Sequence, residues 1–359
     1  MSSHIAHVVG ARPNFPKAAP VIRSLGRAKV HQQVIHTGQH YDEHMSDSFF
    51  RQLGMPEPDL NLGVGSGTHA TQTAAVMTGL EPVLISDRPG ILVVYGDVNS
   101  TLAAALVAAK LNIAVAHVEA GLRSGDRAMP EEINRLLTDR ISEILFATSP
   151  DAVAHLGREG VAPEKIHFVG NPMIDSLLEH MDLFDTQRVL KQIEVSTPYA
   201  VATLHRPANV DGPAQAAELV KALHASADLI RIVMPLHPRG RHQLQAAGLL
   251  SHPNITVVDP LGYGEFLGLV RGAAAVLTDS GGVQEETTIL GIPCLTLRAN
   301  TERPVTITHG TNRLVGVRSL PSVLAEVLSD PMPQRSEIPP LWDGKAGQRI
   351  AEVLLHWVA

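Results

Sequence analysis

The chain has 359 residues, beyond the length of about 250–300 at which single cores stop growing, so two domains are expected. At 44% hydrophobic and 18% charged residues it has ample material for a core, which excludes a disordered chain. A net charge of −7 argues against the electrostatic footprint of a nucleic-acid binder, while leaving room for a local cluster of donors to a small anion.

From the N-terminus onward, short β-rich runs alternate with longer Ala/Leu-rich stretches. Met1–Val9 lacks a basic segment followed by an apolar one, so no secretory signal is expected. Strands are predicted at His4–Val9, Gln33–His36, Gly90–Tyr95, Ile113–Val118, Ile144–Ala147 and Ile166–Val169. The second half offers Tyr199–Leu204, Leu229–Leu236, Ile255–Val258, Ala273–Leu277 and Cys294–Leu297. Several lack two-residue alternation, as parallel strands buried on both faces do. The most apolar region, Leu102–Val118, is broken by Lys110, Asn112 and His117 and is too polar to span a bilayer. The chain therefore reads as soluble and cytoplasmic. Cys294 is the sole cysteine, which rules out an intrachain disulfide; its apolar neighbours make it a core thiol in preference to a nucleophile. Pro331–Pro340 reads as a linker before a short helix at Gly347–Val358.

This is a βαβ pattern and predicts an α/β doubly wound architecture. A boundary is placed at the turn-forming Gly170-Asn171-Pro172. Residues 1–170 and 171–346 are then each the size of one Rossmann-like domain.

In open parallel sheets, ligands bind beyond the carboxyl ends of the strands. The predicted strands end into Gly10-Ala11-Arg12-Pro13, Thr37-Gly38-Gln39-His40, Gly96-Asp97 and Glu119-Ala120-Gly121 in the first half. In the second half they end into His205-Arg206, His237-Pro238-Arg239 and Asp279-Ser280-Gly281-Gly282. Two such polar rims facing each other would make an interdomain cleft. The segment from Ser280, Gly281 and Gly282 to Glu286 suits an anion at a helix start, with Glu286 placed for a ribose hydroxyl; an ordinary strand-to-helix turn is the alternative. No G-x-G-x-x-G follows the first strand, so NAD has no support. Arg12 and Lys17 suit a diphosphate, or are a solvated basic pair. Asp97 and Glu119 suit paired acid/base work, or a helix cap and an ion pair with Arg123. Glu131 stands four residues before Arg135, the spacing of an ordinary surface pair. No histidine spacing signals a metal, and neither metal nor cofactor is expected.

Taken together, these pieces resemble one family along nearly the whole chain. They run in order from Gly10-Ala11-Arg12-Pro13 and Lys17 through His117-Val118-Glu119-Ala120-Gly121-Leu122-Arg123 and Pro130-Glu131-Glu132-Ile133-Asn134-Arg135. They continue through His205-Arg206 and Asp279–Glu286 to Thr301-Glu302-Arg303-Pro304. This set is similar to the bacterial non-hydrolysing UDP-N-acetylglucosamine 2-epimerases. The resemblance implies a GT-B-like fold of two Rossmann-like doubly wound domains with an interdomain cleft, the C-terminal helix (about 347–359) rejoining the first domain. It also implies a UDP-sugar substrate and a homodimer, with no nucleic-acid or membrane partner.

By the same resemblance Asp97, Glu119, Glu131 and His205 are the catalytic candidates. Glu119 and Glu131 would move the C2 proton, Asp97 would organise the acidic side, and His205 and Arg12 would stabilise the departing UDP. Lys17, His237, Ser280, Gly281, Gly282, Glu286 and Arg303 would contact nucleotide or phosphate. A hydrolysing epimerase, a GT-B glycosyltransferase and a silent nucleotide-sugar binder share this outline and remain open at this point. The chain departs from the family pattern where Asn14 replaces the acid of RPE, Ala208 the acid of HRxEN, and Val305 a common Glu. Relatives activated by a second substrate molecule carry QHREM where this chain reads Gln39-His40-Tyr41-Asp42-Glu43-His44-Met45, so weak or absent allosteric activation is expected.

Overall fold

The computed structural model describes residues 4–38, 53–236, 238–330 and 337–358. The chain divides into two units, Met1–Glu179 with Pro340–Ala359, and His180–Pro339. The segment Gln39–Met45 and His237 lie outside the described residues.

In the first unit the strands are β1 (Ile5–Val9), β2 (Gln32–His36), β3 (Leu60–Asn61), β4 (Ile91–Tyr95), β5 (Ala114–Ala120), β6 (Ile144–Ala147) and β7 (Ile166–Phe168). The helices are α1 (Phe15–Arg27), α2 (His69–Ser86), α3 (Asn99–Lys110), α4 (Pro130–Ile141), α5 (Pro150–Arg158) and α6 (Pro172–Glu179). All strand pairs are parallel, in the order β3-β2-β1-β4-β5-β6-β7. The order reverses between β1 and β4, which makes that edge the switch point where open sheets bind ligands. β1 and β4 are buried along their whole length, which is why their sequences are continuous apolar runs. One core layer packs Val94, Val8 and Ala6 of the sheet against Leu80 and Leu84 of α2 and Ala104, Ala105 and Ala108 of α3. Each leucine so buried contributes about 2 kcal/mol.

The second unit repeats the plan. Its strands are β8 (Tyr199–Thr203), β9 (Arg231–Pro235), β10 (Ile255–Val258), β11 (Ala275–Thr278), β12 (Cys294–Thr296) and β13 (Asn312–Leu314), ordered β10-β9-β8-β11-β12-β13 and all parallel. Between and after them run α7 (Thr186–Gln192), α8 (Pro213–Ala227), α9 (Pro238–Ala246), α10 (Tyr263–Arg271), α11 (Gly281–Leu290) and α12 (Leu320–Ser329). Successive residues of β8 serve opposite layers: Ala200 and Ala202 join one core cluster, Tyr199 and Val201 the other. Cys294 is fully buried, and burial pushes its thiol up to about 11, so it is an inert core group.

The helix after Gly170-Asn171-Pro172 packs on α1, and the first unit runs on to Glu179. The returning C-terminal segment is fastened to the same unit. Trp342 donates through Nε1 to the Thr148 carbonyl at 2.9 Å, and Arg349 donates to the Val169 carbonyl at 3.1 Å. The terminal helix α13 (Ala346–Val358) lies against α1, where a side chain at Gly347 would come within 2.7 Å of the Pro20 carbonyl. Asp175 of α6 caps α13, accepting from the N–H groups of Ala346 at 3.1 Å and Gly347 at 2.7 Å.

Burial pushes the Asp175 carboxyl up to about 6, against the opposing pull of the capping N–H groups. That value lies above the unfolded one of about 3.9, so the native state takes up the extra proton. Stability from this group is therefore greatest below about pH 4 and falls as pH rises to about 6, by about 2–3 kcal/mol, then levels. Asp175→Asn keeps one acceptor and should flatten that slope in urea titrations between about pH 4 and 7. Parallel curves for the two proteins would refute the assignment.

Candidate active site

At the switch point of the first unit, β1 ends into a short 3-10 turn, Arg12–Asn14, that leads directly into α1. The side chain of Arg12 lies outside the described part of the structure. Asn14 is buried and works in both directions. Its Oδ1 accepts from the N–H groups of Gly10 at 3.2 Å and Ala11 at 3.1 Å, while its Nδ2 donates to the Tyr95 carbonyl at 2.8 Å. A carboxylate cannot make that last bond, which gives the departure from RPE a physical reason.

One turn into α1, Lys17 forms an ion pair with Glu119 at the end of β5, both groups almost wholly buried. Glu119 stands in a left-handed backbone with φ of 75°, at an irregularity in the β5–β6 register. The close packing is possible because Gly96, φ of 64°, has no side chain there; a Cβ would lie 3.0 Å from Lys17 Nζ and 3.1 Å from Glu119 Oε2.

Asp97, the next residue, is partly exposed and forms an ion pair with Arg135 of α4. Asn134 donates to the Asp97 carbonyl at 2.8 Å. Arg135 also pairs with Glu132 at 2.6 Å, and Glu132 accepts from the N–H groups of Ser124 and Gly125, both at 3.0 Å. The block Pro130–Arg135 therefore divides its work: Glu132 ties down the loop before α4, while Asn134 and Arg135 hold Asp97. Glu131 is half-buried in the first turn. Arg135 pairs with Asp97 and Glu132, Arg123 pairs with Asp139 and Glu159, and α3 has no side-chain cap, so Asp97 is not its N-cap.

In the second unit β8 and β11 are the switch-point neighbours. Asp279, ending β11, is fully buried. It accepts from the N–H of His205 at 3.1 Å, the N–H of Arg206 at 2.9 Å and Asn209 Nδ2 at 2.9 Å. Its Oδ1 also lies 3.1 Å from His205 Nδ1. Burial would raise its pKa, but the contacts with His205, Asn209 and the Arg206 N–H outweigh burial and hold it below the ordinary carboxylate range. With Nδ1 facing Asp279, any exchange of His205 with a ligand would run through Nε2.

Ser280 is the N-cap residue of α11, and Gly281 and Gly282 form its first turn. A side chain at Gly281 would collide with Arg303 Nη1 and lie 2.7 Å from Glu302 Oε1. Arg303 pairs with Glu302, and with Glu285 at 2.9 Å. Arg298 joins Glu302 at 2.6 Å, with Arg206 at 3.9 Å. Burial, then the charge of Glu285, pushes the Glu286 carboxyl up to about 8, so near neutrality it carries a proton and can donate a hydrogen bond as well as accept one.

Sequence reasoning passed over Asn14, Asn134, Arg135, Asp139 and Arg298. Asn14, Asn134 and Arg135 stand inside or beside the family motifs, but nothing in a sequence marks which motif residues serve others. Among the described residues no group of three or more His, Cys, Asp or Glu side chains is placed to hold a metal ion, and no helix is long and apolar enough to cross a membrane.

A family model described as UDP-N-acetylglucosamine 2-epimerase matches residues 23–355. The chain is 42% identical to a UDP-N-acetylglucosamine 2-epimerase of Methanocaldococcus jannaschii, over 97% of this chain and 98% of the relative. The crystal structure of that enzyme in complex with UDP-GlcNAc and UDP superposes with a TM-score of 0.92, covering 98% of this chain and 99% of that one. A UDP-2,3-diacetamido-2,3-dideoxy-D-glucuronate 2-epimerase of Pseudomonas aeruginosa is 41% identical over 98% of this chain and 99% of its own length. The relatives are thus archaeal as well as bacterial.

Gly96→Ala places a Cβ in a left-handed backbone against a buried ion pair. The expected loss is about 1–3 kcal/mol, read as a lower denaturant midpoint; an unchanged midpoint would contradict the packing described.

Proposed function

The chain belongs to the UDP-N-acetylglucosamine 2-epimerase family, and from that premise we propose that it interconverts UDP-GlcNAc and UDP-ManNAc without hydrolysis. The observation that carries the reading is the near-complete likeness to the M. jannaschii enzyme solved with UDP-GlcNAc and UDP.

The hydrogen on C2 is not acidic, because no carbonyl at C1 or C3 stabilises a carbanion. Elimination avoids that difficulty. A base takes the C2 proton, the electron pair forms a C1–C2 double bond, and the C1–O bond breaks with its pair going to the UDP oxygen. UDP then re-adds to C1 of the glycal while a proton arrives on the other face of C2. No water and no redox partner enters the balance.

In this scheme Glu119 and Glu131 exchange the C2 proton, and Asp97, held by Arg135 and Asn134, organises the acidic side. Lys17 pairs with Glu119 and holds its carboxylate at the strand end. His205 and Arg12 stabilise charge on the leaving UDP. Ser280, Gly281, Gly282, Glu286, Arg303, His237 and Lys17 take up nucleotide and phosphate, with the N-terminus of α11 offering N–H groups to the diphosphate.

A second substrate follows from the P. aeruginosa relative: the same elimination on a UDP-linked diacetamido uronate. We also propose a homodimer, located in the cytoplasm and without nucleic-acid or membrane partners. Ile85 on α2 is 63% exposed and Leu137 on α4 is 46% exposed, and a groove of about 560 Å³ is lined by Met77 of α2 and Ile133 of α4. Wild-type protein is expected to elute at twice the chain mass by light scattering, and Ile85→Asp with Leu137→Asp at the chain mass. A monomeric wild type would overturn the assembly.

Proton NMR in deuterated water with UDP-GlcNAc and no added cofactor tests the reaction. UDP-ManNAc carrying deuterium at C2 is expected. Free ManNAc with UDP would mean a hydrolysing enzyme, and turnover of the uronate alone would mean the second substrate. Glu119→Gln and Glu131→Gln should each lower kcat by about 10²–10⁴-fold while UDP still binds. Near-normal turnover in both would sink the assignment of the proton-transfer pair.

A further inference from the structure

His117 stands on β5, two residues before Glu119, with its ring fully buried. Its Nε2 lies 2.7 Å from the Gly96 carbonyl oxygen and its Nδ1 lies 2.6 Å from Asp139 Oδ1. A carbonyl only accepts, so Nε2 carries a hydrogen. The proton on the other side belongs to the ring as long as Asp139 is ionised. Burial would raise the Asp139 carboxyl, but the charge of His117 and the guanidinium of Arg123 outweigh burial and keep the group below its ordinary range. Arg123 approaches Asp139 at 2.7 Å, and the Gly121 N–H donates to it at 3.0 Å. Arg123 is in turn paired with Glu159 at 2.7 Å. The cluster of His117, Asp139, Arg123 and Glu159 thus balances its charges internally.

What the ring holds is the strand end that carries Asp97. Three consecutive carbonyls there each meet a side-chain donor. Asn14 and Thr101 reach Tyr95 at 2.8 Å, His117 reaches Gly96 at 2.7 Å, and Asn134 reaches Asp97 at 2.8 Å. The middle residue is the one at which an added Cβ would meet Lys17 Nζ and Glu119 Oε2. Turning the peptide after Gly96 would therefore move Asp97 relative to the Lys17–Glu119 pair.

We propose that His117 is a positioning residue. Donating from both ring nitrogens, it pins the Gly96 carbonyl and so fixes Asp97 relative to Glu119. Its kinetic consequence rests on the 2-epimerase reading; its geometry does not.

Glutamine carries its amide nitrogen at about the reach of Nε2, and asparagine at about that of Nδ1. His117→Gln thus retains the donor to Gly96, whereas His117→Asn retains only the one to Asp139. His117→Gln is expected to keep kcat within about tenfold of wild type. His117→Asn should lose about 10²-fold or more in kcat with KM little changed, the scale of a misplaced group. Equal losses in the two variants at unchanged melting temperature would overturn the proposal.

A neutron structure of deuterium-exchanged wild-type protein at pH 7 supplies a test that needs no variant. Deuterium on both nitrogens of His117 is expected, and a singly protonated ring overturns the proposal. Should wild-type protein turn over no UDP-sugar, the functional reading fails, and the neutron result still decides whether the ring holds the strand end as described.

Discussion

A carboxylate at the mouth of an apolar parallel sheet has to be matched by a cation, and the Lys17–Glu119 pair is where the first unit meets that constraint. Either charge alone in that position would carry a desolvation cost of several kcal/mol. The neighbouring structure follows from keeping the two together. The turn after β1 has to deliver α1 so that its first turn, not its middle, reaches β5. Gly96 has to lack a side chain, and Glu119 has to accept a left-handed backbone. The strain stored at Glu119 is held by parallel strands on both sides of β5.

The second unit meets a similar demand with different chemistry. Asp279 is buried at the end of β11, and its charge is met mainly by donors rather than by a buried lysine: two backbone N–H groups, an Asn amide and the His205 ring. Glu302 sits among Arg298, Arg303 and Arg206. Such a cluster holds several guanidinium groups in fixed orientations around one carboxylate.

Much of this was legible in the sequence because parallel strands buried on both faces write themselves as apolar runs. The strand at Ile144–Ala147 coincides with its prediction, and that at Ile255–Val258 does too. What escaped were two of the four edge strands. Leu60–Asn61 and Asn312–Leu314 are two- and three-residue strands, paired on one side only, too short to show a run or a period. In the site, residue types at strand ends were readable, because glycine, acids and histidines interrupt apolar runs there. Partnerships were not. Sequence offers Arg123 to Glu119 and Arg135 to Glu131, yet in the structure Glu119 pairs with Lys17 and Arg135 with Asp97. Sequence spacing reports neighbours along one helix, whereas these pairs close across the sheet, between residues about a hundred and about forty positions apart.

Each unit also places a histidine against a buried aspartate, and exposure separates the two cases. His117 is wholly buried, and both of its nitrogens are occupied by the chain itself. The His205 side chain is 40% exposed beside an Asp279 with no exposure at all. The same electrostatic device, a carboxylate that fixes one ring nitrogen, therefore has two outcomes. Where the second nitrogen faces a backbone carbonyl, the pair becomes part of the scaffold and can act on chemistry only through the strand end it holds. Where the ring reaches solvent, it stays accessible while the carboxylate holds Nδ1. Sequence motifs place both histidines beside strand ends; only burial separates the ring closed off by the chain from the ring that solvent reaches.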